Sequence, residues 1–182
     1  KESLFAVGGL MKHAEALTSI TCSTVNSYNG LVPRVGGFEG GTVTWAPTNI
    51  TYGHNNRSAQ FRLPQNRYCI ENRAADMTMN VYLAFSMTLA AAVEGIKMKI
   101  HPGKPTDQDL YEMTDKEFKK LGIKRLPRNL LMALEALKND KLSDEVIGTV
   151  MKKSLLAYKN DEWERYHQAV TDWEVKEYLR LY

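Results

Sequence analysis

Residues that could bind anions are concentrated between positions 26 and 76. Arg57 and Arg62 are five positions apart in a segment with strand character. On a straight strand they would face opposite sides, whereas a bend near Ser58 would bring them together. Because guanidinium groups bind carboxylates and phosphates through paired hydrogen bonds, the two arginines predict an anion site. The alternative is that both are surface arginines on an edge strand.

A carboxylate flanked by basic residues follows in the segment from Arg67 to Asp76. If this segment is a strand, Cys69, Glu71 and Arg73 lie on one of its faces. In that arrangement Glu71 can bind a divalent cation while Arg73 binds an anionic substrate. The alternative is a surface ion pair between Glu71 and Arg73, which contributes little to stability.

A glycine-rich loop over residues 36–41 carries a single carboxylate, Glu39. Glycines on both sides allow the loop to move, so it predicts a lid that places Glu39 over a closed site. The alternative is a solvated turn at the end of a hairpin. The loop lacks the spacing GxxxxGK[ST] and is therefore not the phosphate-binding loop of the P-loop proteins.

The composition excludes several classes of function. The 182 residues carry 24 basic and 21 acidic side chains, and a net charge of +3 is too near balance to indicate a nucleic acid or an anionic membrane as partner. The cysteines, Cys22 and Cys69, have no metal-ligand spacing, and reduced thiols in a cytoplasmic protein are expected. The apolar run Val81–Val93 is too short to span a bilayer and predicts a buried helix.

The elements that must position these groups are predicted in the order helix, strands, helices. Apolar residues at helical spacing predict a first helix over about residues 2–20 and a largely buried one over about 77–97. Between them, short runs rich in β-branched and aromatic residues alternate with glycines. These strand candidates are Thr42–Ala46, Ile50–Gly53, Ala59–Leu63 and Tyr68–Asn72.

The remainder of the chain is predicted to be helical after a polar connector over residues 104–126. Pro127 suits the first turn of a helix over about 127–139. Ser143 is a candidate N-cap for a long final helix, with a break expected near 159 or 171. The order of elements indicates the α+β class.

Taken in order, the motifs of the chain closely resemble the carboxy-terminal half of the glutamine synthetase family over residues 3–113. They are Asn26-Ser27-Tyr28, Leu31-Val32-Pro33, Gly37-Phe38-Glu39, Asn56-Arg57-Ser58-Ala59, Phe61-Arg62-Leu63-Pro64, Ile70-Glu71-Asn72-Arg73, Lys99-Ile100-His101-Pro102-Gly103 and Asp109-Leu110-Tyr111. The ending, with Trp163-Glu164-Arg165-Tyr166-His167 and Asp172-Trp173-Glu174, resembles the branch that includes the type III-like synthetases and γ-glutamylmethylamide synthetase. The resemblance implies that residues 1–182 are the carboxy-terminal portion of a catalytic domain, with an antiparallel sheet flanked by helices and the amino-terminal half absent.

The resemblance implies an ATP-dependent ligase. Members of the family phosphorylate the side-chain carboxylate of glutamate, and ammonia or a small amine such as methylamine then displaces phosphate. By similarity, Glu71 would bind Mg²⁺ or Mn²⁺, and Arg73 would bind glutamate. Arg57 and Arg62 would face the phosphates of ATP, and Arg57 would act on the transferred group. Glu39 would deprotonate the bound amine.

Several positions depart from the family pattern. Gly30 stands where the family commonly has a substrate-binding arginine, and Arg34 is the candidate to replace it. Cys69 replaces an arginine two residues before the metal-binding glutamate, and Arg67 is placed to reach the same phosphate. The segment before Glu39 is also longer than the common pattern.

The resemblance further implies a cytoplasmic homo-oligomer whose active sites lie between subunits. Two alternatives to a glutamate–ammonia ligase stay open, namely γ-glutamylmethylamide synthetase activity and an inactive regulatory homologue. The chain starts at Lys1, and we expect it to be a fragment without activity of its own, since Glu71 is its one candidate metal ligand.

Overall fold

Two successive helices begin the chain. The computed structural model describes residues 1–32, 46–111, 113–179 and 181. Helix α1 spans Glu2–Lys12 and α2 spans Ala14–Thr21, so the helix predicted over residues 2–20 is divided at His13. A 3₁₀ helix over Val25–Leu31 follows. The apolar faces of α1 and α2 lie in the main core, where Leu17 is fully buried.

Short strands form a mixed sheet within the described residues. In chain order they are β1 (Asn49–Gly53), β2 (Ala59–Arg62), β3 (Glu71–Asn72) and β4 (Lys124–Arg125). The spatial order is β3-β2-β1-β4. The pairs β1–β4 and β2–β3 are antiparallel, but β1 and β2 run parallel, which corrects the prediction of a purely antiparallel sheet. The α+β class and the flanking helices are confirmed.

Residues 54–58 connect the two parallel strands β1 and β2, so they do not form a hairpin turn. The strand candidates Ile50–Gly53 and Ala59–Leu63 are confirmed to within a residue. The candidate Tyr68–Asn72 is a strand only over its last two residues. All of the candidate Thr42–Ala46 except its last residue lies outside the described residues.

Helix α3 spans Val81–Met98 and packs against α1. The side chain of Asn80 caps it by accepting two backbone N–H bonds. Glycines permit the close approach of the two helices, because a Cβ on Gly95 would lie 2.1 Å from the carbonyl oxygen of Phe5. A Cβ on Gly9 would lie equally close to the backbone of α3.

The opposite side of α3 is exposed, so the prediction of a largely buried helix was wrong. Large apolar side chains there include Tyr82, Phe85 and Leu89, which are 81%, 62% and 65% exposed. By length and composition alone, the 18 residues with a mean hydropathy of 1.3 would suffice to cross a membrane. A single helix of this kind is weak evidence for a membrane span.

The remaining helices are shorter than predicted. They are α4 (Asp115–Leu121), α5 (Leu130–Asn139), α6 (Lys141–Ile147), α7 (Thr149–Gln168) and α8 (Asp172–Tyr178). The predicted polar connector therefore contains α4 and β4. Asn129 caps α5 in place of Pro127, and Ser143 lies inside α6, which Asp140 caps. A break near 171 is confirmed, whereas residue 159 lies within α7.

A buried histidine joins the junction of α1 and α2 to α3 and to the junction of α5 and α6. Nδ1 of His13 lies 2.5 Å from Asp140, and Nε2 lies 2.6 Å from Glu94 on α3. Lys12 also binds Glu94, while Lys152 on α7 donates to the carbonyl oxygen of Asp140. Burial lowers the pKa of His13, but its hydrogen bonds and charge interactions with the two carboxylates outweigh burial and raise the pKa above 6.5. These five residues are called the histidine clamp.

Candidate functional site

A loop fixed by its neighbours presents Arg57 at the start of β2. The side-chain amide of Asn56 donates to the carbonyl oxygens of Thr106 and Gln108 at 2.8 and 2.7 Å. Its Oδ1 accepts the backbone N–H of Ser58 at 2.8 Å. Asn56 and Ser58 are buried, whereas Arg57 between them is exposed. The motif therefore anchors the loop through its outer residues and leaves the guanidinium available to a ligand.

The register of β2 and β3 brings the predicted site residues together. Arg62 pairs with Glu71 across the two strands, and its Nη1 donates to Oε2 of Glu71 at 3.2 Å. Arg67 donates to the same oxygen at 3.1 Å. On the other side, Nε of Arg73 lies 3.4 Å from Oε1 of Glu71. We call Arg62, Arg67, Glu71 and Arg73 the arginine–glutamate cluster.

Among the described residues, the cluster has more positive than negative charge, because three guanidiniums surround one carboxylate. Arg73 is the most buried of the three, with 18% of its side chain exposed. Its guanidinium also donates to the backbone oxygen of Arg57. Burial lowers the pKa of Arg73 and the charge of Arg57 lowers it further, although Glu71 opposes both. Arg57 therefore lies beside the cluster, and the group as a whole favours an anionic ligand.

Glu71 could supply one ligand to a divalent cation. Its side chain is 30% exposed, and carboxylate oxygens suit Mg²⁺ or Mn²⁺. Among the described residues, however, no group of three His, Cys, Asp or Glu side chains is close enough to hold a metal ion. The described part of the chain therefore supplies one carboxylate ligand to a metal ion but not a complete metal site.

Two predicted site residues cannot be placed, because Glu39 and Arg34 lie outside the described residues. A Cβ added to Gly30 would have no contact within 4 Å in the described part of the chain. Cys69 is exposed and lies before β3, so it is not part of the strand face it was predicted to share. His54 is hydrogen-bonded to Asp107 at 3.0 Å.

One polar residue on the face of the site, Gln60, was not predicted from the sequence. Gln60 in β2 is fully buried, and neither polar atom of its side chain has a hydrogen-bond partner among the described residues. The available signal was a glutamine between Ala59 and Phe61, in a strand otherwise suited to the interior. Nε of Arg62 is likewise buried without a partner within the described residues.

Comparison with known proteins identifies similar sequences. The family model described as glutamine synthetase, catalytic domain, matches residues 2–178. The glutamine synthetase of Methanocaldococcus jannaschii is 41% identical over 176 residues, which cover 95% of this chain and 37% of that protein. The glutamate–methylamine ligase of Methyloversatilis universalis is 42% identical over 174 residues, which cover 96% of this chain and 38% of that protein. The chain thus spans less than two fifths of the length of these two curated relatives.

Solved structures show the same similarity. A structure described as a GmaS/ADP complex aligns with a TM-score of 0.82 at 34% identity, covering 98% of this chain and 40% of that chain. A structure described as GmaS without ligand aligns with a TM-score of 0.78 at 32% identity, covering 98% and 38%.

Proposed function

Because the chain belongs to the glutamine synthetase catalytic-domain family, we propose that the protein carrying it is an ATP-dependent ligase that joins glutamate to ammonia or a small amine. The observation that carries this proposal is the arginine–glutamate cluster, in which Arg62, Arg67 and Arg73 surround Glu71 on adjacent strands. Phosphoryl transfer needs fixed cations where negative charge accumulates, and the cluster supplies them.

In the proposed reaction the side-chain carboxylate of glutamate attacks the γ-phosphorus of ATP, and ADP leaves. Arg57, Arg62 and Arg67 bind the phosphate oxygens, and Arg57 stabilises the transferred group. Arg73 binds the carboxylate of glutamate, which its partly buried guanidinium suits through paired hydrogen bonds. These arginines hold the two anions close together against their mutual repulsion.

In the second step the amine attacks the carbonyl carbon of γ-glutamyl phosphate, and phosphate leaves. We propose that Glu39 accepts the proton that the amine loses and that Arg34 contributes to binding glutamate. Enzymes of this family use ATP and divalent metal ions. We propose that Glu71 supplies one ligand to Mg²⁺ or Mn²⁺, which would neutralise phosphate charge when bound.

A second candidate activity uses methylamine in place of ammonia. It is favoured by the similarity to the glutamate–methylamine ligase of Methyloversatilis universalis, which is 42% identical to this chain. The glutamine synthetase of Methanocaldococcus jannaschii is 41% identical, so sequence identity does not separate the two activities. A single methyl group contributes only about 1–3 kcal/mol to discrimination in a pocket. The test is the ratio of kcat/KM for the two free amines at one pH, and a hundredfold preference for ammonia would exclude the methylamine assignment.

A regulatory homologue without catalysis is the remaining alternative. A homologue of that kind has no chemical need for three guanidiniums around one carboxylate, so the intact cluster argues against it.

We further propose that residues 1–182 are the carboxy-terminal portion of the catalytic domain in a soluble cytoplasmic homo-oligomer, with active sites between subunits and no nucleic-acid or membrane partner.

The proposed function is tested by measuring phosphate release in the intact protein with ATP, Mg²⁺, glutamate and amine. Release that requires both glutamate and amine supports it. Arg73→Lys is an informative variant, because Lys keeps the charge but loses the paired hydrogen bonds. We expect a raised KM for glutamate in that variant, and an unchanged KM would contradict the role given to Arg73.

A further inference from the structure

Gln60 is buried in the sheet with its hydrogen-bonding capacity unused. The residue is 0% exposed, and neither Oε1 nor Nε2 has a partner among the described residues. Buried side-chain amides in folded proteins are nearly always hydrogen-bonded, and an exception calls for a specific explanation. Burial without a partner destabilises the fold unless a bound group supplies the missing hydrogen bonds.

The strand register places this amide on the face of the arginine–glutamate cluster. Phe61 faces the main core, so its neighbour Gln60 faces the other way. Since Arg62 pairs with Glu71, Gln60 is opposite Arg73, and the backbone N–H of Arg73 donates to the carbonyl oxygen of Gln60 at 2.8 Å. Residues opposite each other in an antiparallel pair lie on the same face. Gln60 therefore shares its face with Arg62, Glu71 and Arg73.

A second unused donor lies on the same strand face. Nε of Arg62 is buried without a partner within the described residues, even though Nη1 of the same guanidinium binds Glu71. Positions 60 and 62 are separated by about 6.6 Å along a strand. Two N–H donors at that spacing can reach different oxygens of one phosphate or carboxylate group. The described side chains around them carry three positive charges and one negative charge, so an anion suits both donors as the acceptor.

We propose that Gln60 is a ligand-binding residue whose Nε2 donates to an oxygen of the phosphate or carboxylate group that Arg62 and Arg73 bind. Both orientations of the amide lack a partner in the described part of the chain, so the bound anion selects the one that points Nε2 towards it. The identification of the anion as ATP phosphate or glutamate carboxylate rests on the proposed function. The donor pair itself follows from burial and register.

The test compares Gln60→Met with the wild-type intact protein. Methionine keeps the length and shape of the side chain but has no amide. The matched control is Gln65→Met, because Gln65 is an exposed glutamine just beyond the same strand. The readouts are the melting temperature without ligand, calorimetric binding of ADP and of inorganic phosphate, and the separate KM values for ATP and glutamate.

We expect Gln60→Met to weaken binding of one anion about tenfold or more, as loss of a hydrogen bond to a charged group does. We also expect an unchanged or higher melting temperature, because the variant removes an unpartnered amide from the interior. A rise in the KM for ATP assigns the contact to a phosphate, and a rise in the KM for glutamate assigns it to the carboxylate. Gln65→Met should change none of these values.

Two results would overturn the inference. In the first, Gln60→Met leaves every binding constant and KM within twofold of the wild type. In the second, the variant lowers the melting temperature and reduces all activities in proportion, as expected of a structural amide. Absence of turnover in the wild type would overturn the proposed function alone, because ADP and phosphate binding still report on Gln60. Absence of all anion binding would overturn both.

Discussion

The histidine clamp allows a quantitative prediction about stability. His13 is 5% exposed and lies between Asp140 and Glu94, which are 11% and 27% exposed. Both ring nitrogens face carboxylates, so the imidazole binds best as the doubly protonated cation. The perturbation we consider is His13→Gln, which removes the charge and leaves two carboxylates beside the core.

The magnitude follows from how well each carboxylate is compensated without His13. Removal of one partner from a fully buried ion pair costs about 3–5 kcal/mol. Glu94 is partly solvated and keeps Lys12, and Asp140 keeps the backbone N–H of Ser143, so the cost is lower here. We expect His13→Gln to reduce the free energy of unfolding by about 2–3 kcal/mol at pH 6.

The effect should decrease as the pH rises. The pKa of His13 is raised in the folded state, so its contribution is fully present below about pH 6.5 and is lost as the pH rises through the folded pKa. Burial raises the pKa of Glu94 and of Asp140, but the hydrogen bonds they accept outweigh it and lower both values. Their contribution is lost as the pH falls through those lowered values. The clamp therefore stabilises most between about pH 5 and 6.5.

Urea unfolding of the wild type and His13→Gln at pH 6 and pH 9 measures both effects. The matched control is His54→Gln, because His54 also binds an aspartate but the pair is 38% and 47% exposed. That exposed pair should contribute less than about 1 kcal/mol. A difference below about 0.5 kcal/mol for His13→Gln at pH 6, or an equal difference at pH 9, would refute the proposed role of the clamp.

Three further predictions concern the site and the helix packing. Glu71→Gln should abolish ATP-dependent turnover in the intact protein while changing the free energy of unfolding by less than about 1 kcal/mol, because its ion pairs are partly exposed. The 182-residue chain alone should release no phosphate from ATP, since its described residues contain no group of three His, Cys, Asp or Glu side chains that could hold a metal ion. Gly95→Ala should destabilise the fold by about 3 kcal/mol or more, because the added Cβ would clash with backbone atoms of α1.

Each of these predictions has a measurement that can contradict it. Retained turnover with unchanged metal dependence in Glu71→Gln would remove the metal role from that residue. Phosphate release by the chain alone, measured with glutamate and amine present, would show that the described carboxylate suffices. For Gly95→Ala, thermal unfolding should be compared with Gly30→Ala, since Gly30 has open space around it within the described part of the chain. Equal stabilities of the two variants would contradict the packing argument.

The residues of the site were predicted from the sequence more accurately than the bounds of the helices. Arg57, Arg62, Glu71 and Arg73 were predicted to act together, and the structure brings Arg62, Glu71 and Arg73 into direct contact with Arg57 beside them. Strand alternation predicted that Glu71 and Arg73 share a face, but it left Arg57 and Arg62 on opposite sides. Their grouping into one site followed from the resemblance to the family. Their functional roles stay predictions.

Long-range contacts explain what the sequence could not show. The first helix is divided at His13, whose side chain contacts Asp140, 127 positions away, and the helical pattern of the sequence does not indicate this division. The connection between the parallel strands β1 and β2 contains Asn56, whose side-chain amide donates to the carbonyl oxygen of Thr106, 50 positions away. Exposure of one side of α3 was missed because apolar composition alone does not tell which face of a helix another element covers.

The most direct test of the central claim identifies the product made by the intact protein. The protein is incubated with ATP, Mg²⁺, glutamate and either ammonium or methylammonium, and the products are identified by mass spectrometry. We predict that one γ-glutamyl amide forms for each ADP and each phosphate released, and that Glu71→Gln forms none. ADP release without an amide product, or an amide formed equally well by Glu71→Gln, would contradict the assignment of this chain to a glutamate–amine ligase.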